Sequence, residues 1–228
     1  MPSRSYPYLT DGYRSSDPDQ VLHLIDQFPL ATLLPEDRAD RSVTFLPVII
    51  DPHHDARPAL LGHLDKSNPF HPILDGGRVR AIFHGPNGYI SPADYVTEQF
   101  PTWNYAVAQV VGVSTLIDEP DVKLQHLALM IEVLESGHGT TYRFDPEAHV
   151  LDGLLARITF FRLVVDSMDA TFKFSQDKVF GDRLGAYRGL LNRLHARQER
   201  AVTRFAEDVA QTGQRRPAKP QETRESKE

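Results

Sequence analysis

The sequence contains no cysteine and only one tryptophan among its 228 residues. Without thiols the chain forms no disulfide, and it offers neither a thiolate nucleophile nor a cysteine ligand for zinc or an iron–sulfur cluster. No stretch reaches the roughly 18 consecutive apolar residues of a membrane-spanning helix. Residues 1–10 also lack the basic and apolar regions of a secretory signal. We therefore expect a cytoplasmic protein without a membrane partner.

Basic charge is also scarce, since 25 Lys and Arg face 31 Asp and Glu and the formal net charge is −6. Proteins that bind nucleic acid usually present a basic face. The C-terminal part of the chain does carry clustered arginines, but acidic residues interrupt them, as is typical of a solvated helix face. This balance favours a small-molecule substrate as the partner.

Apolar periodicity predicts a mainly β protein. Alternating residues indicate strands over 30–34, 43–50, 59–64, 79–84, 103–117, 157–166 and 170–174. Helices are predicted after Asp17, over 120–134 and over 184–210. Strands without βαβ alternation imply an antiparallel barrel with peripheral helices. We expect one domain over residues 1–210 and a disordered polar tail over 211–228.

Two short strings carry the most information about function. Residues 83–92 (FHGPNGYISP) read as a strand that breaks into a Gly/Pro turn, and residues 101–105 (PTWNY) bring the single Trp to the head of another strand. Together they are predicted to gather flat rings, amides and one imidazole at one place: His84, Asn87, Tyr89, Trp103 and Asn104. Such a mixture is suited to gripping a planar ligand.

Five segments occur in the order and spacing of a known family: residues 43–47 (VTFLP), 62–69 (GHLDKSNP), 83–91, 101–105 and 173–177 (KFSQD). The chain resembles the PaiB-like family, split barrels of the flavin-reductase type known as FMN-binding negative transcriptional regulators. Haem-dependent piperazate synthases belong to the same broad family. The resemblance implies a split β-barrel, a homodimer, and a planar cofactor at or near the dimer interface.

The chain departs from the family pattern at four positions. Phe45, Asn87 and Gln109 stand where the family usually has histidine, and Asp177 stands where it has an amide. This drift from the regulator pattern favours an enzyme that binds haem b, with FMN as the alternative cofactor.

The resemblance also implies site residues. His63 is the expected axial ligand of the haem iron; the alternative is a histidine that hydrogen-bonds backbone at a strand end. Asp177 and Lys66 are the predicted catalytic residues, although Asp177 also fits a contact to an amine substrate or a loop residue without function. The other predicted cofactor-binding residues are Thr44, Lys66, Asn68, Tyr89, Trp103, Asn104, Lys173, Ser175 and Gln176. Trp103 fits equally well in a cofactor wall and in the barrel core.

Three functions remain open at this point. The first is a haem enzyme resembling piperazate synthase, in which the iron acts as a Lewis acid while N5-hydroxyornithine cyclises through an N–N bond. The second is a PaiB-like FMN-binding negative transcriptional regulator, the only case that calls for DNA. The third is a flavin-dependent oxidoreductase of the pyridoxamine-phosphate oxidase type.

Overall fold

The computed structural model describes residues 11–37, 41–54, 56–136, 142–145 and 151–213. Its strands are β1 (Arg14–Ser15), β2 (Leu30–Pro35), β3 (Thr44–Ile50), β4 (Ala59–Asp65), β5 (Arg78–Ile90), β6 (Thr102–Ile117) and β7 (Ile158–Lys173). They follow the order β1-β7-β4-β3-β2-β5-β6, and β6 pairs again with β7. Six antiparallel strands thus close a barrel and β1 extends it, which confirms the predicted fold class.

Four helices surround this barrel: α1 (Pro18–Gln27), α2 (Pro120–Ser136), α3 (Leu151–Arg157) and α4 (Phe180–Gly213). Short 3₁₀ helices cover Asp11–Tyr13, His71–Leu74 and Pro92–Asp94. As predicted, Asp17 caps α1: its carboxylate accepts a hydrogen bond from the Asp19 N–H at 3.1 Å. None of the helices in these described ranges is long and apolar enough to cross a membrane.

The apolar residues form two main clusters because alternate residues of each strand point inward. The barrel interior is filled from all six strands and receives Val21, Leu24 and Ile25 from α1. A second cluster lies outside the barrel, where Leu127 and Met130 of α2 pack on the outward-facing Leu61 and Phe160. Helix α2 therefore covers the outer face of β4 and β7.

The predicted Gly/Pro turn after His84 is wrong, because β5 continues as one strand to Ile90. The register with β6 shifts between His84 and Asn87, which marks a bulge. A bulge accommodates Pro86, which has no N–H to give to the ladder. A Cβ on Gly85 would come within 2.6 Å of Leu24 Cδ1, so only glycine permits this close approach to α1.

The C-terminal elements also differ in their bounds from the prediction. The two closing strands form the single strand β7, which carries an irregularity opposite Val111 and Gly112. Helix α4 begins at Phe180 rather than at residue 184 and runs to Gly213, so residues 211–213 are helical. The rest of the predicted tail lies outside the described residues. The single-domain boundary at residue 210 stays a prediction.

Candidate functional site

A polar cavity of about 280 Å³ opens where β6 begins and β7 ends. Three predicted site residues, Lys173, Ser175 and Asp177, line it. Its remaining walls come from Tyr13, Tyr95, Gln99, Phe100, Pro101, Thr102 and Lys178. A larger groove of about 800 Å³ runs between α2 and residues 142–145, but it contains no residue that the sequence singled out.

Lys173 is the last residue of β7 and supplies positive charge to the cavity. Its Nζ donates a hydrogen bond to Thr102 Oγ1 at 2.7 Å. Within the described ranges, Lys173 has no carboxylate within ion-pair distance. Its ammonium group retains two further donor hydrogens and an uncompensated charge, which is the chemistry that a bound anion requires.

Ser175 adopts a left-handed backbone conformation, with φ of 59°, that residues other than glycine rarely take. It is buried, and hydrogen bonds fix its side chain: Asn104 Nδ2 donates to Ser175 Oγ at 3.1 Å, and Ser175 Oγ lies 3.2 Å from Asn104 Oδ1. Tyr95 Oη lies 3.5 Å from the same hydroxyl. A strained residue held in this way is a recurring feature of functional sites.

Asp177 brings negative charge to the mouth of the cavity. Its carboxylate lies 3.0 Å from Lys178 Nζ. Burial opposes its ionisation, but hydrogen bonds from Lys178 and Tyr13 outweigh burial and lower the pKa of Asp177. Burial and the neighbouring Asp177 carboxylate raise the pKa of Tyr13. Asp177 is therefore an anion and Tyr13 a neutral donor at neutral pH.

Gln176 lies beside the cavity rather than in its wall. Its Oε1 accepts a hydrogen bond from the Phe174 N–H at 2.7 Å, and its Nε2 donates to the Gly12 carbonyl at 3.2 Å. Gln176 thus ties the N-terminal segment, and with it Tyr13, to the end of β7.

Three exposed rings lie on β5, on β6 and in the loop before β6. Phe100 is 90 % exposed, and Tyr89 and Trp103 are exposed partners across the β5–β6 ladder. Trp103 therefore belongs to the outer surface and not to the barrel core. Asn104 points to the opposite, buried side, where it reaches Ser175. Of the predicted aromatic and amide cluster, the structure thus places Tyr89 and Trp103 together and Asn104 behind them.

His63 occupies a different place, on the outer face of β4 beneath α2. Its Nδ1 lies 3.4 Å from Met130 Sδ, and its ring centroid is 5.2 Å from that of Phe160. Burial lowers the pKa of His63 and keeps the imidazole neutral. A neutral imidazole is the form that ligates a metal, but here Met130 covers one of its nitrogens.

The remaining predicted residues lie at the start of β3 and just after β4. Lys66 Nζ donates to the Ala156 carbonyl at 2.7 Å, just before β7 begins. Asn68 Nδ2 donates to Thr44 Oγ1 at 2.9 Å. The structure therefore divides the predicted site into a group at the start of β7 and a group at its end, and it does not bring Lys66 to Asp177.

The sequence did not single out Tyr13, Tyr95 or Thr102 as site residues. Thr102 stands next to Trp103 in residues 101–105, so that short string did indicate a site residue. Tyr13 carries no such signal, because only the pairing of β1 with β7 brings it to the cavity.

The closed antiparallel six-stranded barrel is the architecture of the flavin-type split barrels. The chain belongs to the family described as "Putative FMN-binding domain", whose model matches residues 7–167. Among characterised relatives, the protease synthase and sporulation protein PAI 2 of Bacillus subtilis is 24 % identical over 187 residues, which cover 81 % of this chain and 89 % of that protein. This match confirms the PaiB-like resemblance.

Two solved structures share the fold. The FAD and haem binding protein from Mycobacterium smegmatis aligns with a TM-score of 0.56 and 15 % identity, covering 76 % of this chain and 80 % of its own. The flavocytochrome Anf3 from Azotobacter vinelandii aligns with a TM-score of 0.53 and 14 % identity, covering 71 % and 70 %. At such identities the likeness shows the barrel alone.

Proposed function

We propose that this protein binds FMN, with the phosphate group in the cavity at the end of β7. The observation that carries the proposal is the uncompensated ammonium group of Lys173 inside a cavity rich in hydroxyl groups. At about 280 Å³ the cavity lies at the small end of ligand sites, so we assign to it the phosphate rather than the whole cofactor. The exposed Trp103 and Tyr89, which are partners across β5 and β6, would offer flat faces to the ring.

The residues present fit such a cofactor in charge. Two lysines and one carboxylate line the cavity, and Lys178 already neutralises Asp177. The charge of Lys173 remains for the phosphate, and the Ser175 and Thr102 hydroxyls add donors. Asp177 lies in the wall of the cavity, where it would contact the amine of a substrate, while its lowered pKa makes it a weak base.

When bound, FMN supplies one- and two-electron redox chemistry. The chain's own residues would bind the phosphate and orient the ring, and Asp177 would stay ionised beside Lys178. The acidic net charge and the absence of a basic DNA-reading element in the sequence favour an oxidoreductase acting on a small molecule. Binding to DNA is the expectation of the regulator alternative.

His63 supports a second candidate, the haem-dependent enzyme resembling piperazate synthase. Its neutral imidazole is suited to an axial position on iron. Met130, however, lies against Nδ1, and Phe160 packs beside the ring, so Nε2 is the nitrogen that would ligate the iron.

Absorption spectra of the purified protein, reconstituted in parallel with FMN and with haem, separate the two candidates. We expect the flavin bands to be retained through gel filtration. A Soret band that disappears in a His63→Ala variant, with no retained flavin, would contradict the FMN proposal and support the haem enzyme. Turnover of N5-hydroxyornithine by the haem-loaded protein would then test the cyclase activity.

We also propose that the protein is a homodimer that pairs through the outer face of β2 and β3. Phe45 is 68 % exposed and Leu30 is 62 % exposed on this face, where Phe45 lies across the ladder from Thr32 and Leu30 from Pro47. Exposed apolar side chains on one sheet face are typical of an interface. A second copy covers both faces at once by two-fold symmetry.

A further inference from the structure

Asp182 is a carboxylate with no solvent exposure at the start of α4. It is the third residue of that helix, and it accepts four hydrogen bonds from one loop. The donors are the Val96 N–H (2.7 Å), the Thr97 N–H (3.0 Å), Thr97 Oγ1 (2.6 Å) and Gln99 Nε2 (3.3 Å). Nothing in the proposed flavin chemistry uses this group.

Only neutral donors satisfy the charge of Asp182. No Lys, Arg or His lies within ion-pair distance of it in the part of the chain that the structure describes. The hydrogen bonds from Thr97 lower the pKa of Asp182 against the effect of burial, so the group stays ionised. The N-terminal end of α4 adds favourable dipoles. Hydrogen bonds from neutral donors to a buried anion are stronger than those between neutral groups.

These bonds join the two walls of the cavity. One wall is the loop after the Pro92–Asp94 turn, which supplies Gln99 and Phe100. The other wall, which includes Ser175 and Lys178, runs directly into α4. Close packing also brings α4 to this loop, because a Cβ on Gly181 would lie 2.7 Å from Val96 Cγ2.

We propose that Asp182 is the positioning residue of the cofactor cavity: it holds the loop of residues 96–101 at the distance from Lys173 and Ser175 that a phosphate group requires. The proposal rests on the proposed function, because it takes the cavity to be the phosphate site. Asp182 does not itself line the cavity, so it acts only through the loop. Loss of its carboxylate frees the loop and widens the cavity while the barrel remains closed.

The test combines amide hydrogen exchange with flavin titrations of Asp182→Ala, Asp182→Asn and Thr97→Val. In Asp182→Ala we expect faster exchange over residues 96–100 and FMN affinity about tenfold weaker, the scale of one lost charge-assisted hydrogen bond, with riboflavin affinity unchanged. Asp182→Asn keeps the one oxygen, Oδ1, to which both N–H groups donate, and restores most of the protection. Thr97→Val removes one hydroxyl donor and has an intermediate effect.

Asp51→Asn is the matched control, because Asp51 is also a buried carboxylate but lies beside Arg162, away from the cavity. It is expected to lower stability without changing the ratio of the riboflavin and FMN dissociation constants. Unchanged exchange over residues 96–100 in Asp182→Ala would overturn the proposal, as would equal weakening of FMN and riboflavin. If wild type binds neither flavin, the proposed function fails, and the positioning role derived from it fails as well. Hydrogen exchange then shows only whether Asp182 holds the loop of residues 96–101.

Discussion

Lys173 and Thr102 are joined by a 2.7 Å hydrogen bond, so the last residue of β7 and the first residue of β6 share one wall of the cavity. Thr102 is neutral, and this contact orients the lysine without cancelling its charge. A positive group therefore stands at this end of the barrel in a protein whose net charge is −6. It also makes the cavity testable by changing single residues.

Ser175 and Asn104 allow backbone strain to be separated from side-chain bonding. Ser175→Ala is expected to lose about 1–3 kcal/mol of unfolding free energy, because the buried Asn104 amide is left without its hydroxyl partner. Ser175→Gly deletes the same hydroxyl but relieves the left-handed backbone, which costs about 1 kcal/mol for residues other than glycine. Urea unfolding should therefore find the glycine variant more stable than the alanine variant. The reverse order would show that the φ of 59° stores no strain.

Phe45→Glu tests the proposed dimer face. A charged side chain at the centre of an apolar interface is costly to bury, so light scattering should report a monomer mass at micromolar concentration where wild type is a dimer. Val202→Glu changes a similarly exposed apolar residue on α4 and should leave the dimer intact. A wild-type monomer, or a Phe45→Glu dimer, would count against this face as the interface.

Two histidines between α2 and the barrel, His63 on β4 and His126 on α2, predict a loss of stability in acid. Burial and the Arg162 guanidinium lower the pKa of His126 below 6.5, with Asp51 opposing them and His53 adding to them. Burial alone lowers that of His63. The unfolded chain therefore takes up protons that the folded chain resists, and the unfolding free energy falls as the pH drops below 6.5.

Denaturant titrations between about pH 5 and pH 8 measure this slope. His126→Gln keeps an acceptor for Arg162 but does not titrate, so its stability should depend less on pH. Identical slopes in wild type and in His126→Gln would show that His126 is not one of the groups responsible.

Gly85 tests the close contact between the β5 bulge and α1. A methyl group there meets Leu24 Cδ1 at 2.6 Å and Ala106 Cβ at 3.1 Å. Gly85→Ala is expected to cost about 1–3 kcal/mol through overpacking. Gly153→Ala in the exposed part of α3 meets nothing within 4 Å and should stabilise the protein slightly. A lower melting temperature for Gly85→Ala and a slightly higher one for Gly153→Ala would confirm the contact.

The barrel was predictable because strand alternation is a local property. Residues 103–117 alternate so regularly that β6 was found almost to the residue. The Gly85-Pro86 dipeptide misled the prediction because the same residues that make turns also make bulges. Only the neighbouring β6, which continues to pair beyond the bulge, distinguishes the two.

The site was predictable only in part. Lys173, Ser175 and Asp177 are close in sequence, and the end of one strand brings them together. His63 matched the family pattern equally well, but a local pattern does not reveal that α2 places Met130 against its imidazole. Tyr13 reaches the cavity because the neighbouring Arg14 pairs with Thr171, which lies some 160 residues away in sequence. No local motif indicates such a pairing.

The most direct test of the account compares FMN and riboflavin binding in Lys173→Met and Lys66→Met. Both lysines were predicted cofactor residues, but only Lys173 lines the cavity. We predict that Lys173→Met weakens FMN binding by about tenfold or more, as expected for a charge-assisted contact, and leaves riboflavin binding unchanged, whereas Lys66→Met changes neither. An FMN affinity that survives Lys173→Met, or that falls only in Lys66→Met, would contradict the placement of the phosphate at the end of β7.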